Sequence, residues 1–245
     1  MLLTVARSMT GIEKASDKMT DSTKTVLFDL DGTIIDSEEG IGFGRRREII
    51  MKVLAINGSA GKDGNTAILI NTIFEELHQA GFETEMVQLS RQIIEPCKAC
   101  WACGGRKNCV HKKDLFQEIF EKMTQADGII LGSPVYTANI SANMQAFLER
   151  ASVVTDMNRD ADLLKYKAGA SVTAARRGGA IAALDAMNRF FMLQNMFVVG
   201  SSYWPMAYGQ MPGDVQKDEE GMETMRNLGR NMAYLLKALE ERRNG

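Results

Sequence analysis

From Met51 onward the chain alternates short apolar runs with longer amphipathic stretches, and no other feature constrains its fold as strongly. Runs near 52–57, 84–89, 127–132, 168–174 and 196–200 have the length of strands, and some, such as Val53-Leu54-Ala55-Ile56, are apolar without a break. A strand apolar on both sides must be covered on both faces, as in a parallel sheet flanked by helices. The stretches near 65–80, 113–124, 141–153, 179–194 and 219–242 have helical length. This alternation predicts an α/β fold, a doubly wound five-stranded parallel sheet in the order 2-1-3-4-5. In that order a ligand crevice opens at the carboxyl ends of strands one and three.

Three informative loops fall at that edge. The first, Gly58-Ser59-Ala60-Gly61-Lys62-Asp63-Gly64-Asn65-Thr66, joins strand one to a helix. Its small residues let backbone N–H groups close round an anion, Ser59 and Thr66 add hydroxyls, and the helix amino terminus adds its positive end. It reads as a cradle for a terminal phosphate or as an ordinary turn with an Asn or Thr cap. It is not a Walker A loop: Asp63 follows Lys62, and Ile56 stands where the first glycine belongs. The second loop, Gly132-Ser133-Pro134-Val135-Tyr136-Thr137-Ala138-Asn139, is stiffened by Pro134 and offers Tyr136 as a flat face or as core edge. In the third, Thr173 to Gly179, Arg176, Arg177 and the amides of Gly178 and Gly179 are set to meet negative charge or to form a solvated face.

All four cysteines fall in one run, Cys97-x2-Cys100-x2-Cys103-x5-Cys109. Steps of three residues present sulfurs round one centre, and Gly104 and Gly105 let the chain return with the fourth. Structural zinc usually takes pairs from two separated knuckles, which this chain lacks. The spacing favours a single local [4Fe-4S] cluster over zinc, with unliganded thiols or a Cys97/Cys100 redox dithiol as alternatives.

Together the loops and the cysteine run resemble the NADPH-dependent FMN reductase group of flavodoxin-like proteins, and most closely its iron-sulfur flavoproteins. The resemblance covers residues 51–245. It implies that Ser59, Asn65 and Thr66 bind the FMN phosphate, that Pro134, Val135 and Tyr136 lie along the flavin ring with Asn139 in the same loop, and that Arg177 and Gly178 meet the ring's polar edge. It also implies that Cys97, Cys100, Cys103 and Cys109 bind [4Fe-4S]. Ala60-Gly61 replaces the family's usual Pro-Arg, leaving Lys62 as a substitute point charge, and Lys113-Asp114 replaces an acidic pair. The implied activity is electron transfer between NAD(P)H or ferredoxin, FMN and the cluster. The rivals are a cluster-free NAD(P)H-dependent FMN or quinone reductase and a flavodoxin-like carrier. The family's dimers imply a homo-oligomer, dimer or tetramer, with the Met-rich, aromatic stretch 190–208 either covering a neighbouring subunit's flavin or forming a plain core helix and strand. His78, on a helix face, and His111, near the cysteines, read as solvated residues rather than ligands.

Residues 1–50 form a separate beginning. Thr25-Val26-Leu27-Phe28-Asp29-Leu30-Asp31-Gly32-Thr33 resembles motif one of the haloacid dehalogenase phosphatases, which implies Asp29 as nucleophile and Asp31 as acid/base, both holding magnesium. The next domain begins 15 residues after Asp36, which leaves no room for the partner lysine, the phosphate-binding hydroxyl or the second acidic pair. The segment is expected to be a truncated, non-catalytic extension, with Gly40 to Arg47 as linker. Net charge is −2 and no basic field is implied, so no nucleic-acid partner is expected. The amino terminus has neither a secretory h-region nor a membrane span, and a cytoplasmic protein is expected.

Overall fold

The computed structural model describes residues 51–244 and, ahead of them, two short strands. Those strands, Leu27–Phe28 and Ile34–Ile35, pair antiparallel. Asp29 and Asp31, like the linker, lie outside the described residues, and the chain divides between Ile49 and Ile50.

The second unit is the doubly wound sheet. Its strands are β1 (Lys52–Asn57), β2 (Glu83–Gln88), β3 (Gly128–Pro134), β4 (Ala168–Ala175) and β5 (Phe197–Val198), all parallel and in the order β2-β1-β3-β4-β5. The helices are α1 (Asn65–Gln79), α2 (Phe116–Gln125), α3 (Ala142–Asp156), α4 (Ala180–Leu193) and α5 (Glu219–Asn244). Every residue of β4 is buried, as an inner strand covered on both faces requires, whereas the edge strand β2 carries exposed Glu83 and Glu85. Alternate residues of one strand feed opposite cores. Val53 and Ala55 join Leu69, Ile73, Leu228 and Met232 of α1 and α5, while Leu54 and Ile56 join Phe116, Phe120, Phe147 and Phe191 of α2, α3 and α4.

One expectation needs correction. The fifth strand is not a continuous run over 196–200: it is cut to Phe197–Val198, and a sixth strand, β6 (Met206–Tyr208), pairs with the carboxyl half of β4. Between them α5 pulls the chain away from the sheet. Asn231 donates to the Gly200 carbonyl at 2.9 Å, and the Ser201 hydroxyl donates to the Thr224 carbonyl at 2.6 Å. The Pro205 carbonyl then accepts from Thr173 N at 3.1 Å and starts β6. This excursion puts Tyr203 and Trp204 on the surface, 52% and 55% exposed.

Candidate functional site

The first loop is fixed by its own polar groups. Gly58 N donates to the Gly132 carbonyl at 2.8 Å, Ser59 N to Asn57 Oδ1 at 3.0 Å, and Gly61 N to Ser59 Oγ at 3.2 Å. Buried Asn57 donates to Gln88 Oε1 at 2.8 Å, and Gln88 returns a bond to the Ser59 carbonyl at 2.9 Å, closing a ring between β1, β2 and the loop. α1 begins without a side-chain cap, so the free N–H groups of its first turn remain directed at the loop. Thr66 is buried in that turn and Lys62 is exposed. Asn65 is committed elsewhere: its amide donates to the Met211 carbonyl at 3.0 Å and accepts from Gly213 N at 2.8 Å, tying the 211–213 segment to the start of α1.

The second loop ends in a tight turn. Tyr136 and Asn139 exchange backbone hydrogen bonds at 2.8 and 3.0 Å, and Thr137 and Ala138 both have positive φ, at 50° and 56°. That pairing of left-handed residues is the signature of a type I′ turn. It leaves Tyr136 48% exposed beside half-buried Pro134 and Val135. Asn139 Oδ1 accepts from Ile140 N at 2.8 Å, and Ser141 then caps α3 by accepting from Met144 N at 3.3 Å.

The third loop packs against the second at one glycine. Gly179 has φ +86°, and a Cβ there would stand 2.7 Å from Ala138 Cα and 3.0 Å from Val135 Cγ1. Arg176, Arg177 and Gly178 are exposed, and among the described residues neither arginine forms a salt bridge. Gly178, Gly179 and Ile181 line a groove of about 190 Å³ whose other wall is Tyr203, Trp204 and Tyr208. The three loops thus meet at the carboxyl edge, with an uncapped helix end, an exposed aromatic face and unpaired cations. This suits a ligand with a phosphate tail and a flat, polar-edged ring.

The cysteine segment lies at the other end of α3. Cys97, Cys100, Cys103 and Cys109 line one small pocket of about 20 Å³ with Trp101, His111, Arg150, Val153 and Val154. Cys103 is buried, Cys97 and Cys109 half-buried and Cys100 exposed, and all four are free thiols. Burial pushes the Cys103 thiol up, and neighbouring Cys109, Cys100 and Cys97 add to the rise. The backbone turns sharply between the sulfurs, with positive φ at Ala99, Trp101, Gly105 and Lys107. Cys97 N donates to Glu149 Oε1 at 3.2 Å, Asn158 donates to the Cys103 carbonyl at 3.0 Å, and His111 Nε2 stands 3.4 Å from Cys100 Sγ. A wholly thiol donor set facing one pocket fits an iron-sulfur cluster in kind. Among the described residues no group of three or more His, Cys, Asp or Glu side chains is already arranged to hold a metal ion.

Several residues of this region were not singled out in the sequence. Arg150 is 3% exposed, pairs with Asp114 Oδ2 at 2.5 Å and donates to Cys109 Sγ at 3.2 Å. Its signal was a charge on the apolar face of α3, three residues after Phe147 and four before Val154. Asp114 was noticed only as half of a departure from the family pattern. Gln88 and the bonds of Asn158 to the cysteine segment left no local signal, since those partners come from distant segments. His78, as expected, lies on a helix face, with Nε2 2.6 Å from Thr84 Oγ1. His111 is half-buried, with Nε2 3.4 Å from the exposed Cys100 Sγ.

Comparison with known proteins follows the same division. Residues 51–210 match the NADPH-dependent FMN reductase family. An iron-sulfur flavoprotein of Methanocaldococcus jannaschii is 35% identical over 198 residues, spanning 78% of this chain and all of that one. One of Methanosarcina thermophila is 32% identical over 197 residues, 79% of this chain and all of that one. Among solved structures, a flavodoxin, WrbA-like protein from Agrobacterium tumefaciens superimposes with a TM-score of 0.52 at 15% identity, covering 77% of this chain and 98% of that one, a likeness of fold.

Proposed function

Since the chain belongs to the NADPH-dependent FMN reductase family and its iron-sulfur flavoproteins, we propose that it passes electrons between NAD(P)H or ferredoxin, FMN and a [4Fe-4S] cluster. It is an FMN-dependent oxidoreductase. When bound, FMN supplies two-electron chemistry and the cluster one-electron chemistry, so one protein can convert between the two. The chain's own residues bind and orient. The uncapped start of α1, with Ser59 and Thr66, takes the phosphate, and Lys62 stands in for the missing guanidinium. Asn65 serves the phosphate loop by anchoring the 211–213 segment. Pro134, Val135 and Tyr136 lie along the ring, Asn139 closes the turn that presents them, and Arg177 and Gly178 meet the polar edge. Cys97, Cys100, Cys103 and Cys109 hold the cluster.

The observation that carries this reading is the position of α3. Its amino end abuts the first loop, where a Cβ on Gly58 would stand 2.9 Å from Ser141 Oγ, and it directly follows the second. Nine residues later Arg150 lines the cysteine pocket, about 14 Å along the same helix. One rigid element spans both centres.

The donor is proposed from charge. Arg91, Arg106, Lys107, Lys112 and Lys113 are exposed round the cysteine segment, and among the described residues none forms a salt bridge. Such a rim suits an acidic protein donor such as ferredoxin, whose rate of reduction of this protein would fall steeply with salt. The exposed Tyr203, Trp204 and Tyr208 beside Gly178 suit a homo-oligomer, dimer or tetramer, that covers the groove. Four free thiols suit a reducing, cytoplasmic setting. Among the described residues no helix is long and apolar enough to cross a membrane.

Anaerobic purification with iron, sulfide and flavin measured on one sample tests the reading. FMN with iron and sulfide in equal amounts is expected. FMN without iron, even after reconstitution, would replace it with the cluster-free NAD(P)H-dependent reductase. FMN without turnover on NAD(P)H or reduced ferredoxin would leave a carrier.

A further inference from the structure

We propose that Arg150 is the positioning residue of the cysteine centre, holding Cys109 in place and setting a fixed positive charge beside the sulfurs. This rests on the reading that the four thiols hold an iron-sulfur cluster. One guanidinium makes four bonds: Nη1 donates to the Glu95 carbonyl at 3.1 Å and Asp114 Oδ2 at 2.5 Å, and Nη2 donates to Cys109 Sγ and the His111 carbonyl, both at 3.2 Å. Glu95 lies two residues before the first cysteine and His111 two after the last. Arg150 therefore clamps both ends of the segment to α3. Asp114 completes the clamp by accepting from Glu95 N at 2.8 Å and Phe116 N at 3.2 Å, and the guanidinium lies 4.2 Å over the Phe116 ring.

A residue that only fastened the loop would need the two carbonyls and the carboxylate. The bond to Cys109 Sγ adds nothing to that fastening of the backbone: it holds the cysteine side chain itself and brings the cation to the sulfur. An arginine in this stripe is also costly, because burying a charge is penalised even when it is paired. The ion pair is oriented, with Asp114 on the Nη1 side and the sulfur on Nη2, so Cys109 faces the cation more closely than the anion. Adding an electron to a cluster adds negative charge, and an N–H···S bond from a nearby cation stabilises the reduced form. Arg150 thereby raises the cluster's potential. Lysine would keep the charge but lose the planar fork that reaches the carboxylate and the sulfur together.

The test compares wild-type protein with Arg150→Gln, Arg150→Lys and Asp114→Asn, each reconstituted anaerobically. The readouts are iron, sulfide and FMN content, resistance of iron to a chelator, and the cluster midpoint potential by spectroscopic titration. Arg150→Gln should hold iron roughly 10- to 100-fold less tightly, as losses next to a metal centre usually do, with FMN unchanged. Its remaining cluster should shift to a more negative potential. Arg150→Lys should recover part of both. Asp114→Asn keeps the cation without its anion and should shift the potential the opposite way, to more positive values. Unchanged potentials in Arg150→Gln and Asp114→Asn, with or without lost iron, would reduce Arg150 to an anchor and overturn the inference. If Arg150→Gln does not fold, the positive shift of Asp114→Asn decides alone, and its absence overturns the proposal. Wild-type protein that takes up no iron overturns the cluster reading and this inference together. Iron-loaded wild type with insensitive variants overturns only the latter.

Discussion

At its amino end α3 meets loops that the sheet positions, whereas further along it meets a cysteine segment with no strand beneath it. The 58–66, 132–139 and 175–179 loops each leave the end of an inner strand, where backbone bonds such as Gly58 N to the Gly132 carbonyl set their register and the first is further braced by Asn57 and Gln88 of the adjoining strands. The cysteine segment takes several left-handed turns and relies on side chains for its anchorage: Arg150, Asp114, Glu149 and Asn158. A ladder-fixed loop follows from topology. A loop fixed by side chains depends on a handful of distant residues. The first region should therefore tolerate loss of its ligand, and the second should be sensitive to single substitutions.

The largest expected effect breaks the comparison at the cysteine side. Replacing any one of Cys97, Cys100, Cys103 or Cys109 with serine should abolish stable iron and sulfide incorporation while flavin content stays at the wild-type level. Loss of flavin in the same variants would show that the two ends are not independent. Next in size is the double change Ser59→Ala with Thr66→Ala. Hydrogen bonds to a charged group are worth about 1.5–3 kcal/mol each, so with two of them removed FMN affinity by fluorescence titration should fall roughly a hundred-fold or more with the cluster unaffected. An unchanged affinity would remove the phosphate assignment.

A smaller effect sharpens the role of topology. Gly179→Ala forces a side chain into a left-handed conformation and against Ala138, at a cost of about 1–3 kcal/mol. Thermal unfolding should move down by several degrees and flavin affinity should drop, with iron content unchanged. The smallest effect is none at all: a chain starting at Met51 should fold, bind FMN and take up iron like the full chain, and Asp29→Asn should alter no activity. Magnesium-dependent phosphatase turnover that Asp29→Asn removes would overturn the view of residues 1–50 as a non-catalytic extension.

The sheet order and all five helices were legible because continuous apolar runs such as Ile129-Ile130-Leu131 have no stable place except an inner strand. The loops followed, because a sheet of known order fixes which connections share its carboxyl edge. The split fifth strand was not legible: it depends on Asn231 and Thr224 of α5 competing for Gly200 and Ser201. Asn65 read as a phosphate ligand, and only the fold showed its amide occupied by the 211–213 segment, 146 residues and more away.

What the sequence by itself determined is the alternation, and with it the sheet, its carboxyl-edge loops and the grouping of four thiols in one segment, since each depends on residues close in the chain. Tertiary structure alone decided that a buried arginine from α3 closes the cysteine segment on Asp114, and that Tyr203 and Trp204 stand beside Gly178 and Gly179. Those contacts join residues tens of positions apart. Local spacing carries no information about them, because long-range partners are chosen by packing rather than by period.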